Sequence, residues 1–237
     1  YTPFLIDKIK DIKLAIKTLN ISGLNVTVPF KKNIISELDN LDKHAKNINA
    51  INTIVYKNKK LMGYNTDILG FEAGLKKLKW NKEKPVVVFG AGGAAEAIIY
   101  FLYINKVKNI TLINRTESKA KKIIKRYKNI IYKKEANRGI IKEAGLIINT
   151  TCLGMIGYPN LNLNLKGVNK EVIIYDIVYN PVDTRLILNA KEEKLSFING
   201  LDMFIEQARC SFDIWFNIKP KIEQSLYKKI KKEIKKL

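Results

Sequence analysis

Pro85 to Ile99 read PVVVFGAGGAAEAII, a short apolar run that breaks into glycines and continues as an alanine-rich helical pattern. The apolar run has no polar alternation, which predicts a strand of a parallel sheet that is buried on both faces. Gly90, Gly92 and Ala95 have the spacing G-x-G-x-x-G/A, in which the first glycine permits a tight turn and the second admits a pyrophosphate. The third small residue lets the helix pack closely on the strand. The stretch therefore predicts the opening strand, turn and helix of a dinucleotide-binding unit.

This turn would present unpaired backbone N–H groups at a helix N-terminus, where the helix dipole also favours negative charge. Any close crossing of a strand and a helix can use such glycines, so the pattern needs structural context. A second predicted strand, Ile110 to Ile113, supplies that context. The residues expected to contact the cofactor at the turn are Gly90, Ala91, Gly92, Gly93 and Ala94.

The residues after the second strand indicate which dinucleotide is bound. An NAD enzyme usually has an acidic residue there for the ribose hydroxyls, whereas an arginine accommodates the 2′-phosphate of NADP. Here no acid occurs before Glu117, and the guanidinium fork of Arg115 suits a phosphate. The alternative is a solvated pair of charges in a lysine-rich chain. We predict NADP, with contacts from Asn114, Arg115, Thr116 and Lys119.

The chain is strongly basic. Its 237 residues include 43 Lys and Arg against 22 Asp and Glu, a formal net charge of +21. Such a charge raises the possibility of nucleic acid or an anionic membrane as a partner. The excess is lysine rather than arginine, is spread along the whole chain and is not interleaved with aromatic residues as in single-strand binders. We therefore expect no nucleic-acid or membrane partner, although the charge should steer anionic small molecules towards the protein.

Cysteine and histidine usage argues against a metal centre. Cys152, Cys210 and the single His44 have no metal-ligand spacing, so we expect no metal site. Cys152 has no cationic or histidine partner near it in the sequence, and we expect it to be a small packed side chain. No apolar run approaches the ~20 residues that a membrane span needs.

The first part of the chain has its own α/β pattern. We predict a helix from Ile6 to Leu19 and a short strand from Val26 to Val28, which Pro29 ends. Lys31 then emerges just past a strand end, in the kind of connection that often carries catalytic groups. The apolar runs 51–56 and 61–64 read as a hairpin.

The hairpin leads directly to Asn65, Thr66 and Asp67, and a helix is predicted from Leu69 to Leu78. Thr66 or Asp67 could serve as the N-cap of that helix, a role compatible with a catalytic one. Later in the chain, strands and a helix alternate as in a parallel βαβ sheet, with strands at 146–148, 173–177 and 195–198 and a helix at 184–191.

Eight short motifs together resemble the shikimate dehydrogenase family in both order and spacing. They are GLNVTVPFK, INAINT, GYNTDILG, GAGGAA, INRT, NTTCLGM, YDIVYNP and NGLDMFIEQA, and they extend over essentially the whole chain. The resemblance implies an α/β protein with an N-terminal substrate domain, a Rossmann-type NADP-binding domain, and C-terminal helices that return to the substrate domain. We expect the substrate domain to comprise 1–67 and 201–237 and the NADP-binding domain to comprise 68–200.

The resemblance also implies the reaction, which is the reversible reduction of 3-dehydroshikimate to shikimate with NADPH in the cytoplasm. Lys31 and Asp67 correspond to the family's catalytic pair. The chemistry agrees, because reducing a carbonyl needs a proton on oxygen that an ammonium held by a carboxylate can supply. The family's substrate contacts correspond to Thr27, Asn52, Tyr179 and Gln207, and further cofactor contacts to Thr150, Ile177 and Gly200.

Some features depart from the family pattern. The family opens with a strand and a serine-rich loop that binds the substrate carboxylate, and residues 1–20 do not match it, so we expect residues that precede Tyr1 to carry it. Asn49 and Ile68 stand where the family commonly has glycine. Ile222 to Leu237 form an amphipathic pattern, which predicts a helix that caps the domain; a membrane-surface helix is the less favoured alternative because the apolar face has no Trp or Phe.

Two other functions remain open at this point. One is a quinate or dual quinate/shikimate dehydrogenase, which often prefers NAD and against which Arg115 argues. The other is a noncatalytic NADP-binding regulator on the same scaffold, since fold can outlast activity. Retention of both Lys31 and Asp67 argues against the regulator. A homodimer is left open as the assembly.

Overall fold

The computed structural model describes residues 1–234. The strands, in chain order, are β1 (Gly23–Asn25), β2 (Asn40–Leu41), β3 (Thr53–Lys57), β4 (Lys60–Tyr64), β5 (Val86–Phe89), β6 (Ile110–Ile113), β7 (Ile130–Lys133), β8 (Leu146–Asn149), β9 (Ile173–Asp176) and β10 (Ser196–Ile198). The α-helices are α1 (Ile12–Thr18), α2 (Lys43–Ile48), α3 (Asp67–Leu75), α4 (Gly93–Ile104), α5 (Glu117–Ile124), α6 (Arg138–Glu143), α7 (Arg185–Glu192), α8 (Gly200–Phe216) and α9 (Gln224–Ile234), and a short 3₁₀ helix spans Asn33–Glu37.

The larger sheet is parallel and six-stranded, in the order β10-β9-β8-β5-β6-β7. This is the strand order of a doubly wound dinucleotide-binding fold, in which the chain reverses direction across the sheet beside its first strand. The reversal lies between β5 and β8, so their carboxyl ends form the crevice where such folds bind ligands. The predicted Rossmann-type sheet is confirmed, and β5 and β6 have the predicted bounds.

β5 is buried on both faces, as its uninterrupted apolar run predicts. Val86 and Val88 belong to one hydrophobic core with α3, α4 and Tyr175. Val87 and Phe89 point to the opposite side, into a second core with β8, β9 and α7. Side chains alternate across a strand, so one four-residue run anchors both layers of helices.

The smaller sheet, β1-β3-β4-β2, is mixed, with β3 and β4 forming the predicted hairpin. The predicted strand at Val26 to Val28 is wrong, because β1 ends at Asn25. The chain leaves the sheet there and turns, with the Phe30 N–H donating to the Thr27 carbonyl at 2.9 Å. An alternation of valine and threonine is compatible with an exposed turn as well as with a strand. The turn still carries Lys31 to the sheet edge.

Other element bounds differ modestly from the predictions. α1 begins at Ile12 rather than Ile6, after Asp11, whose φ of 67° is left-handed. Asn49 ends α2 with a φ of 60°, a conformation that asparagine tolerates better than most residues and that explains how it can stand in place of glycine. The predicted C-terminal helix is α9, and its last predicted residues, 235–237, lie outside the described part of the chain.

The long helix α8 returns to the smaller sheet and packs along α3. The approach is close because Gly70 has no side chain: a Cβ there would lie 2.6 Å from the Met203 carbonyl oxygen. α9 packs on α8 through a small core that includes Leu201, Ile205 and Ile234. The predicted domain limits fall at the starts of α3 and α8 and stay a prediction. Within residues 1–234, no helix is long and apolar enough to cross a membrane.

Candidate active site

A cavity of about 380 Å³ opens between the smaller sheet, the glycine turn after β5 and the start of α8. It is lined by all six residues predicted for catalysis and substrate binding: Thr27, Lys31, Asn52, Asp67, Tyr179 and Gln207. Three residues predicted for the cofactor also line it: Ala94, Ile177 and Gly200. Residues from distant parts of the sequence therefore converge on one space at the edge of the parallel sheet.

Lys31 and Asp67 form an ion pair on the cavity wall. The Lys31 Nζ lies 2.6 Å from Asp67 Oδ2, and the side chains are only 18% and 6% exposed. An ammonium has three donors, so the contact with Asp67 leaves others for a ligand in the cavity. Loss of either partner would leave a largely buried charge without its counter-charge, which is costly. The pair is therefore held in one geometry.

The carboxylate of Asp67 is fixed from behind by Asn52, which is itself 2% exposed. The Asn52 amide donates to Asp67 Oδ1 and to Thr66 Oγ1, both at 2.9 Å. Its carbonyl oxygen accepts the Thr66 backbone N–H at 2.8 Å. Thr66 makes no side-chain cap bond to α3; instead Asn65 Oδ1 accepts the Asp67 N–H at 3.0 Å. Thr66 therefore occupies the expected N-cap position of α3, but the side-chain bond to the first turn comes from Asn65.

A buried hydroxyl lies below this network. Ser211, on α8, is fully buried and lies 2.7 Å from Thr53 Oγ and 3.3 Å from Thr66 Oγ1 through its own Oγ. It also accepts the amide of Asn25 at 3.2 Å, so that Asn25 lines the cavity. Ser211 lies one helical turn after Gln207, whose Oε1 is 3.4 Å from the Asn52 amide. One face of α8 therefore contacts the buried hydroxyl network through Ser211 and Asn52 through Gln207.

Tyr179 closes another side of the cavity. Its ring stacks on Phe204 with a centroid separation of 4.2 Å, which restrains a side chain that is otherwise partly exposed. Gly200 begins α8 against the backbone of Ile177, since a Cβ at Gly200 would lie 2.2 Å from the Ile177 carbonyl oxygen. This close approach joins the end of β9 to α8 at the cavity rim.

The glycine turn after β5 has the features of a phosphate cradle. Gly90 has a φ of 108°, and a Cβ there would lie 2.5 Å from Thr150 Oγ1. Thr150 in turn donates to the Phe89 carbonyl at 2.6 Å, which locks the ends of β5 and β8 together. By contrast, a Cβ at Gly92 would meet nothing within 4 Å, so a pyrophosphate has room to reach the backbone. These residues fit a dinucleotide.

The predicted NADP-selecting residues follow β6 at the same edge. The Gly90 N–H donates to the Ile113 carbonyl at 2.8 Å, which sets Asn114 beside the glycine turn. The Asn114 amide donates to the Thr116 carbonyl at 2.7 Å and shapes the connection. Arg115 and Lys119 are exposed at the start of α5. They lie outside the cavity itself, on the side where the adenosine part of a dinucleotide would extend from the turn.

Sequence reasoning did not identify Asp176, a fully buried carboxylate at the end of β9. It accepts hydrogen bonds from Asn149 Nδ2 at 3.0 Å, the Val178 N–H at 3.0 Å and Thr184 Oγ1 at 2.6 Å. These bonds tie together the end of β8, the loop after β9 and the start of α7. Burial raises the pKa of Asp176 to about 6, although the three hydrogen bonds oppose the shift. Its position in the motif YDIVYNP was the available signal.

The two cysteines differ in their surroundings. The expectation of a packed Cys152 is wrong: its side chain is exposed in the loop after β8. Cys210 is buried on α8, and burial raises the pKa of its thiol to about 11, which keeps it in the unreactive thiol form. Among the described residues, no group of three or more His, Cys, Asp or Glu side chains is arranged to hold a metal ion.

Three family models match the chain in succession: a shikimate dehydrogenase substrate binding domain at 1–54, a shikimate/quinate 5-dehydrogenase at 72–181 and a shikimate 5′-dehydrogenase C-terminal domain at 200–224. The NADP(+) shikimate dehydrogenase of Bacillus cereus is 40% identical over 218 residues, which are 88% of this chain and 78% of the relative. The chain belongs to the shikimate dehydrogenase family.

Solved structures agree with this assignment. The shikimate dehydrogenase of Aquifex aeolicus superposes with a TM-score of 0.83 at 34% identity, and the match covers 95% of this chain and 83% of that one. The Thermus thermophilus enzyme, solved with NADP(H) and shikimate, has a TM-score of 0.81 at 26% identity, with 98% and 85% covered. The predicted family and fold class are confirmed.

Asp176 gives this family member a testable pH dependence of stability. Because the folded protein holds the Asp176 proton more tightly than the unfolded chain, whose pKa is near 3.8, stability from this group is lost as pH rises through about 6. Asp176→Asn removes the charge, while its amide can still accept from Asn149 and Val178 and donate to Thr184. The free energy of unfolding of the variant relative to wild type should therefore rise by about 2 kcal/mol between about pH 4.5 and about pH 8.

Urea denaturation followed by circular dichroism at the two pH values measures this difference. A variant that is destabilised equally at both pH values would contradict the cost of ionising the buried carboxyl and would indicate that the loops need its charge.

Proposed function

We propose that this chain catalyses the reversible NADPH-dependent reduction of 3-dehydroshikimate to shikimate, the step that gives the family its name. The observation that carries the proposal is the Lys31–Asp67 ion pair on the wall of a cavity that also includes Ala94, at the start of the helix after the glycine turn. Family membership supports the same activity and the same cofactor. The individual residue roles that follow are part of the proposal.

Lys31 acts on the proton. Reduction of a ketone leaves negative charge on its oxygen, and the Lys31 ammonium donates a proton there; in the oxidation the neutral amine takes the hydroxyl proton back. Asp67 holds the ammonium at 2.6 Å and compensates its charge. Asn52 in turn orients the carboxylate, so that the pair does not have to reorganise when the proton moves.

Polar side chains around the cavity suit a hydroxylated acid. Amides and hydroxyls both donate and accept hydrogen bonds, so Gln207, Thr27 and Tyr179 can each pair with a ring hydroxyl or a carboxylate. Asn52 also lines the cavity, but its amide already bonds Thr66 and Asp67, so it contributes by orienting Asp67. The three ring hydroxyl groups that distinguish shikimate from a plain cyclohexene acid would thus find polar side chains to pair with. The high net positive charge also steers an anionic substrate towards the protein.

The cofactor is held by the parallel-sheet edge. NADPH, when bound, supplies the hydride. The first-turn N–H groups of α4 receive its phosphates, with Gly92 leaving room for close approach. Arg115 and Lys119, supported by Asn114 and Thr116, favour the 2′-phosphate. Thr150, Ile177 and Gly200 border the end of the site that faces the substrate cavity.

The setting of the activity completes the proposal. We place the enzyme in the cytoplasm, as the family resemblance implies, with a small-molecule substrate. We expect no nucleic-acid or membrane partner, because the lysine excess is spread along the whole sequence. The division into a substrate unit, 1–67 with 201–237, and a cofactor unit, 68–200, belongs to the proposal as well.

A single spectrophotometric experiment tests the proposed activity. Shikimate and quinate are each offered with NADP and with NAD, and formation of the reduced nicotinamide is followed by its near-ultraviolet absorbance. The expected result is turnover that is fastest with shikimate and NADP. Faster turnover with quinate and NAD would contradict the assignment, and absence of turnover with all four pairs would indicate a binding protein on an enzyme scaffold.

Arg115→Ala tests the choice of cofactor. Charge-assisted hydrogen bonds to the 2′-phosphate are lost in this variant, so the KM for NADP should rise about ten- to a hundredfold while the KM for NAD stays nearly constant. Lys122→Ala, which removes an exposed positive charge from α5, the helix that follows Arg115, is the matched control and should change neither value much. Equal losses with both cofactors in Arg115→Ala would contradict the assignment.

A further inference from the structure

A buried carboxylate in the first turn of α4 is not used by the chemistry described above. Glu96 is 2% exposed, yet it lies in an otherwise apolar stretch of the helix. Its Oε1 pairs with the Lys32 ammonium, and its Oε2 lies 3.1 Å from Arg126 Nη1. Two cations from different parts of the chain therefore converge on one carboxylate beside the phosphate-binding turn.

Arg126 extends this contact to the end of α2. Its Nη1 also donates to the Ile48 carbonyl at 3.0 Å, and its Nη2 donates to the Asn47 carbonyl. Tyr127 adds a hydrogen bond from its hydroxyl to the same Asn47 carbonyl at 2.8 Å. Arg126 thereby bridges Glu96 and the last carbonyls of α2, whose end continues into the Asn49–Asn52 segment that leads to the cavity.

Lys32 connects Glu96 to the catalytic segment, because it is the neighbour of Lys31 in the chain. It directly follows Lys31, whose Cβ and Cδ both lie 3.6 Å from the position that a Cβ at Gly93 would take. Gly93 and Glu96 are three residues apart and so share a face of α4. The two neighbouring lysines therefore lie beside the same helical turn: the Lys31 side chain lies where it would contact a Cβ at Gly93, and Lys32 pairs with Glu96.

We propose that Glu96 is a positioning residue for the proton transfer: through Lys32 it holds the Lys31 backbone against the first turn of α4, and so fixes the ammonium relative to the bound cofactor. This inference rests on the proposed function. Displacement of a reacting group by about 1 Å can cost a hundredfold in rate, so a rigid link between the proton donor and the phosphate-binding helix has a direct kinetic effect.

The energetics of the contact support a fixed link. A nearly dry carboxylate is stable only when it is paired, and here it receives two cations as well as the favourable field of a helix N-terminus. Lys32 is 39% exposed at its side chain, so it could remain in water without cost if the contact were absent. Pairing compensates the buried charge of Glu96 and at the same time holds Lys32, and with it the segment that contains Lys31.

Lys32→Met and Glu96→Ala, alone and together, test the role. Each single variant should lower kcat for shikimate oxidation about tenfold or more with the KM for NADP within about twofold of wild type. The double variant should be no slower than the slower single variant, because both changes remove one interaction. In each, the solvent deuterium isotope effect on kcat should exceed that of wild type, because a displaced Lys31 makes proton transfer slower relative to the other steps.

Lys77→Met is the matched control, since it removes an ion pair between other elements, Lys77 Nζ with Asp202 at 2.6 Å, and should leave kcat unchanged. A loss of kcat with an unchanged isotope effect would mean only that less enzyme is folded and would overturn the positioning role. Variant kcat values within about twofold of wild type, or losses that multiply in the double variant, would overturn it as well. A wild-type enzyme without shikimate turnover would instead refute the proposed function.

Discussion

The ion pair between Lys31 and Asp67 is the constraint on which the rest of the site depends. The two residues are 36 positions apart in the sequence, and their charged atoms lie 2.6 Å apart in a nearly dry environment. A pair of this kind is stable only when both partners are held and their remaining polar atoms are satisfied. The hairpin β3–β4 provides that condition, because Asn52 precedes one strand and Asp67 follows the other.

Two close backbone approaches bring the remaining elements to this pair. Gly70 lets α8 lie against α3, which places Gln207 beside Asn52 and Ser211 beside Thr53. Gly200 lets α8 begin against the carbonyl of Ile177, at the carboxyl edge of the parallel sheet. The reversal of strand order between β5 and β8 opens the dinucleotide crevice at that same edge. The substrate cavity and the cofactor turn are therefore adjacent because one long helix contacts both sheets.

Local patterns in the sequence predicted the local structure well. The uninterrupted run of β5 and the spacing of its glycines are properties of neighbouring residues, and both the strand and the turn lie where they were predicted. The alternation at Val26 to Val28 misled because it is equally compatible with a turn, and only the pairing partners of β1 decide between the two. The spacing of short motifs, rather than any single residue, carried the family assignment.

Long-range polar partners could not be predicted in the same way. Ser211 lies beneath the hydroxyl of Thr53 across 158 residues, and nothing local to either residue indicates the contact. Glu96 in an apolar helix and Asp176 at the end of a buried strand are acids in unusual places in the sequence. Their partners, however, depend on which loops the tertiary fold brings to them. The hydrogen-bond and ion-pair partners of buried carboxylates are therefore the features that a sequence predicts least well and that a structure supplies.

The central claim is that Lys31 transfers the proton, and the kcat of Lys31→Met tests it most directly. Methionine keeps much of the bulk of the lysine stem but has no ammonium, so the substitution removes the proton donor with little change in packing. Loss of one general acid–base group lowers kcat by about 10²- to 10⁴-fold. The account predicts a loss of that order at saturating shikimate and NADP, with NADPH affinity, measured by fluorescence titration, within about twofold of wild type. A variant that keeps more than about a tenth of the wild-type kcat, a barrier change of only ~1.4 kcal/mol, would contradict the claim and reduce Lys31 to a binding residue.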